Sequence, residues 1–157
     1  MDFKLELIVL PVSDVDRAKS FYEKLGFRLD VDNTFNEQYR AVHFTPPGSG
    51  CSIIFGNGMT KTTPGSAQGL YLIVDDIAEA REELIGRGIQ VSELFHDANG
   101  VLYHGHAGGD VTHEAADQER LNGAHPERAT YSSYATFSDP DGNGWVLQEI
   151  TERFPGR

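Results

Sequence analysis

The chain repeats itself at one fixed shift. Val12, Asp14, Val15, Ala18 and Lys19 recur as Val74, Asp76, Ile77, Ala80 and Arg81, and Gly26-Phe27 as Gly88-Ile89. One shift without a gap marks a duplicated supersecondary unit, and such a unit must fold the same way twice. In each copy an apolar run (residues 5–12 and 70–74) precedes the acidic residue and reads as a strand. A helix follows. Ser13 or Asp14 caps the first, because a short side-chain oxygen accepts from the free amides of the opening turn. Val15, Ala18, Tyr22 and Leu25 then fall on one helical face, and Gly26 supplies a left-handed end. In the second copy Asp76 caps, Ile77, Ala80 and Leu84 form the stripe, and Gly86 or Gly88 closes it.

Three more strand-like segments complete each half: 27–31, 38–45 and 51–55, then 89–95, 131–138 and 144–150. Pro46-Pro47-Gly48 and the run Asp139-Pro140-Asp141-Gly142-Asn143-Gly144 make the turns. Each half is therefore strand, helix, strand, strand, strand. The expected division is a first module over 1–56, a Gly-, Thr- and Ser-rich linker over 57–67, a second module over 68–150 and a tail over 151–157.

A length of 157 residues fits one domain or two half-size units. With 24 acidic against 13 basic side chains, the net charge is -11, which argues against nucleic-acid partners and acidic membrane surfaces. The single cysteine, Cys51, excludes an internal disulfide and reads as a small buried hydrophobe. No stretch reaches the ~18 apolar residues of a membrane helix, and no signal segment opens the chain, so a cytoplasmic protein is expected.

Residues 10–27 (LPVSDVDRAKSFYEKLGF) and 138–145 (SDPDGNGW) resemble the vicinal oxygen chelate superfamily, which includes glyoxalase I, extradiol dioxygenases and bleomycin-resistance proteins. The resemblance covers nearly everything outside the long insertion. It implies an α+β fold in which two βαβββ modules curl into a half-open barrel around a cavity, helices outside. It also implies a homodimer. Metal-dependent members hold a divalent ion through the first and last strands of each module. The corresponding positions here are Leu7 and Gly69, with Val146 and with Ser52 or Ile54. None offers an imidazole or carboxylate, and one serine hydroxyl does not hold such an ion. The usual metal site is expected to be missing, and no cofactor is expected.

What remains is an apolar-walled site. Period-two alternation places Leu7, Val9, Ser52, Ile54, Gly69, Tyr71, Val146 and Gln148 along its lining. Arg40 and His43 lie three apart on one strand, so at most one looks inward. The insertion over 97–130 is longer than the ~12–15 residues of an ordinary loop. It carries His104, His106, His113 and His125, with one helical turn expected over 115–121. Three roles compete for it: a surface excursion against a dimer partner, a lid bringing Tyr103, His104 or His106 to the ligand, or a relocated divalent-metal site at His104, His106 and His113 with Asp110 or Glu114. The leading functional expectation is a metal-independent lyase, isomerase or cyclase acting on a hydrophobic small molecule with His104 and His106 as catalytic groups. The alternatives are a non-catalytic binder of an aromatic or antibiotic-like ligand, and a metal-dependent dioxygenase or glyoxalase-type lyase using the insertion histidines.

Overall fold

In a computed structural model, which describes residues 1–97 and 120–156, the chain divides into two compact units. The first comprises residues 1–67 with 138–143; the second comprises 68–137 with 144–157. The break between the units falls between Ala67 and Gln68. The Asp-Pro-Asp-Gly-Asn turn, however, belongs to the first unit.

The first unit is β1 (Leu7–Val9), α1 (Val15–Leu25), β2 (Arg28–Asn36), β3 (Tyr39–Thr45) and β4 (Ser52–Asn57), in a mixed sheet of order β1-β4-β3-β2. Asp14 caps α1, its side chain accepting from the Arg17 amide at 2.9 Å. Gly26 ends it at φ 92°, a left-handed conformation that costs other residues about 1–2 kcal/mol. The four residues of the expected stripe, Val15, Ala18, Tyr22 and Leu25, are the buried ones. Tyr22 packs against Phe27, Phe44 and Phe55, with ring centroids 5.6–6.1 Å apart. Its hydroxyl donates to Asp139 Oδ2 at 3.0 Å. Asn143 Nδ2 donates to that same oxygen and to the Pro11 carbonyl. This explains why the 138–143 turn sits in the first unit: its buried polar groups are satisfied there.

The second unit is β5 (Leu70–Val74), α2 (Ile77–Gly86), β6 (Phe95–Asp97), β7 (Arg120–Asn122), β8 (Ser133–Ser138) and β9 (Gly144–Glu149), ordered β5-β9-β8-β6-β7. Asp76 caps α2 through the Ala78 and Glu79 amides. On the α2 side of the sheet, Glu149 accepts from the Ile77 amide and from Arg128, and Trp145 stacks on Phe137.

Two sequence expectations need correction. The sequence pattern predicts a strand over 89–95, yet β6 begins only at Phe95, and the Ser92 amide bonds the Thr136 carbonyl outside it. Arg120 and Leu121 were expected to close a helical turn and are instead extended in β7, paired with Asp97 and His96. Both follow from strand pairing, which single-segment periodicity does not contain. The class is α+β, with two helices and two mixed sheets of four and five strands.

Candidate functional site

In the first unit, alternation along the strands sorts side chains to two faces. Val42, Phe44, Ile53 and Phe55 face α1 and are essentially fully buried. Arg40 shares that face, ion-paired to Asp16 at 2.7 Å and to Asp32 at 2.9 Å. Lys19 joins Asp32 at 2.9 Å, so the two cations hold that carboxyl well below the usual carboxylate range. Arg40 is thereby a structural ion-pair residue.

The opposite face, turned away from α1, carries two rows of side chains across the four strands. Leu7 lies beside Ser52 and Val9 beside Ile54. His43 lies beside Ile54 on one side and Val31 on the other. One row is thus Val31, His43, Ile54 and Val9. In the other, Thr45 Oγ1 contacts Ser52 Oγ at 2.7 Å and donates to Asp30 Oδ2. Asp30 reaches this face because β2 bulges there: Leu29 pairs with Phe44 and Val31 with His43, leaving Asp30 unopposed. Arg28 binds its other oxygen at 2.6 Å. Arg28 first, then Thr45, hold the Asp30 carboxyl below its ordinary value.

Thus the structure brings Leu7, Val9, Ser52 and Ile54 together on one face. It adds Asp30 and Thr45, which the sequence reading missed, and turns His43 to the same side. His43 was legible as one of a pair of opposed residues. Asp30 was not, because a bulge exists only relative to a partner strand.

In the second unit, Tyr71 lies beside Val146 and Ile73 beside Gln148. Val146, Phe95 and Tyr134 form a buried cluster against which Tyr71 packs. Gln148 Nε2 donates to the Tyr131 carbonyl at 3.1 Å and to the Tyr134 hydroxyl at 3.3 Å. Gly69 stands before β5 at φ 71°. Tyr103, His104, His106, Asp110, His113 and Glu114 lie outside the described residues. Of the histidines at the described edges, His96 Nδ1 bonds the Gly123 carbonyl at 2.8 Å, and His125 Nδ1 accepts from the Glu127 amide at 3.2 Å.

The positions at which a divalent ion is implied do not suit one. Leu7 and Val146 have no donor atom, their cross-strand neighbours are Ser52 and Tyr71, and Gly69 has no side chain. Among the described residues, no group of three or more His, Cys, Asp or Glu side chains is placed to hold a metal ion. None of the described helices is long and apolar enough to cross a membrane.

Two consecutive βαβββ-type units with a mixed sheet each define the class of protein. The chain belongs to the Glyoxalase/Bleomycin resistance protein/Dioxygenase superfamily, whose family model matches residues 4–147. Among solved structures it is similar to TnmS3, an antibiotic binding protein from Streptomyces sp. CB03234, with 27% identity over 95% of this chain and 97% of that one, at a TM-score of 0.63. A glyoxalase/bleomycin resistance protein from the same organism is also 27% identical, covering 92% and 99% of the two chains at a TM-score of 0.60. A superfamily member from Sphaerobacter thermophilus DSM 20745 is 25% identical over 94% and 98%, at 0.63. No curated protein matches the chain.

Proposed function

We propose that this protein binds a hydrophobic, aromatic small molecule of the antibiotic kind, holding it without a divalent ion and releasing it unaltered. The observation that carries this reading is the first unit's face away from α1. Leu7, Val9, Ile54 and Val31 offer apolar surface there beside His43 and a polar row of Asp30, Thr45 and Ser52, with Ser52 at a position where the family resemblance implies an ion ligand in metal-dependent members. Apolar walls with a few fixed polar groups are the usual make-up of a small-molecule site. The similarity to an antibiotic binding protein along nearly the whole chain supports the same reading. Exposed Leu5, Phe35 and Ile73, which do not line that face's two rows, fit a homodimer, which belongs to the proposal.

A second reading, a metal-independent lyase, isomerase or cyclase, is favoured by one observation. His43 shares a face with the Asp30–Thr45–Ser52 chain, so proton-transfer groups are within one surface. The metal-dependent reading rests on His104, His106 and His113 and gains nothing from the described residues.

Native mass spectrometry with a panel of aromatic antibiotics in excess chelator separates these readings. The expected spectrum shows a two-chain species carrying ligand whose mass and chromatographic retention on release are unchanged. An altered mass or retention of the released molecule favours turnover, and binding only after zinc, iron or manganese is restored supports the metal-dependent class. Single chains would remove the homodimer from the proposal.

A further inference from the structure

We infer that the Asp30–Thr45–Ser52 relay selects ligands bearing a hydroxyl group on the aromatic body, with Ser52 Oγ accepting the ligand's proton and His43 Nε2 as the second polar contact. This rests on the binding proposed above and adds the chemical class of the ligand.

The direction of the relay follows from counting protons. An ionised carboxylate only accepts, and Arg28 at 2.6 Å keeps Asp30 in that state. Thr45 must therefore donate its one hydroxyl proton to Asp30. The Thr45–Ser52 contact at 2.7 Å has either oxygen as donor on geometry alone, but the Thr45 proton is already committed. Ser52 must be the donor. Its single proton is then used within the protein, and lone pairs are all it presents outward. A ligand O–H aimed at Ser52 gains a hydrogen bond, whereas an ether or carbonyl oxygen there meets lone pair against lone pair.

His43 supplies the second contact. Its Nε2 is buried and has no hydrogen-bond partner among the described residues. Leaving such an atom unsatisfied is costly, so a ligand that pairs it is rewarded. His43 Nε2 pairs with a second polar atom of the ligand, as donor or acceptor according to its tautomer. The relief of the face matches this chemistry. Ser52 and Thr45 keep only 8% and 6% of their surface, whereas Val9 and Val31 in the neighbouring row keep 41% and 43%. The central strands β3 and β4 form the floor, and the edge strands β1 and β2, which carry Val9, Val31 and Asp30, form the rim. Neighbouring side chains on one strand face stand about 7 Å apart and strands about 4.8 Å, which is the scale of a two-ring aromatic.

The test is calorimetric titration with 2-naphthol and 2-methoxynaphthalene, which share an apolar body and differ in having a proton to give. Wild type, Ser52→Ala and Asp30→Asn are compared, with circular dichroism to confirm folding. The ratio of naphthol to methoxynaphthalene affinity is expected to fall about fivefold in Ser52→Ala, mainly through loss of naphthol binding. In Asp30→Asn the amide oxygen stays on Arg28 and the NH₂ faces Thr45. The relay then reverses, Ser52 is free to donate toward the ligand, and, because naphthol and ether oxygens both accept, the ratio falls toward that of Ser52→Ala. An unchanged ratio in Ser52→Ala overturns the inference while leaving the binding reading intact. Failure of wild type to bind either probe overturns both.

Discussion

Glu149 shows how one side chain ties a helix to a sheet. Its carboxylate is fully buried at the end of β9, accepting from the Ile77 amide at 2.9 Å and from the Arg128 guanidinium. Arg128 first, with the Ile77 amide also contributing, holds the carboxyl below its reference value of 4.5, against an opposing push from burial. The folded state therefore binds its proton less readily than the unfolded chain, and the group's stabilisation is fully present above about 4.5. It is lost as pH falls through the depressed folded value. Glu149→Gln is expected to cost about 2 kcal/mol at pH 7. Thermal melts across pH should show that deficit shrinking from about pH 4.5 downward. A deficit independent of pH would mean that the charge does not contribute.

At the scale of elements, the helices were legible because their signals are local. Asp14, Asp76 and Gly26 each act within a few residues of their own position, and all three do what the repeat implies. Gly26→Ala is expected to lower stability by about 1 kcal/mol, since φ 92° strains any Cβ. Urea unfolding measures this, and no change would show that the turn relaxes. Strand extents were less legible. The apolar run over 5–12 becomes a strand of only three residues, because Leu7–Val9 is the part that meets Ser52, Ile53 and Ile54. The second helix is also weaker than its stripe implied, since only Ile77 is fully buried and Leu84 is half-buried.

Among the described residues, the duplication made the order of the main elements readable, while the site was readable only in part. Positions lacking metal donors are a property of residue identity and could be named at once. The relay at Asp30 depends on a bulge, and the side to which His43 turns depends on which face α1 covers; neither is written in one segment. A net charge of -11 disfavours polyanionic partners. The central claim is that the first unit's face away from α1 recognises an organic molecule with no metal between them. Its most direct test is an amide NMR titration of the full chain with 2-naphthol in excess chelator. Shifts concentrated at Leu7, Val9, His43, Ser52 and Ile54 are predicted. Shifts confined to other residues, or none until a divalent metal is added, would contradict it.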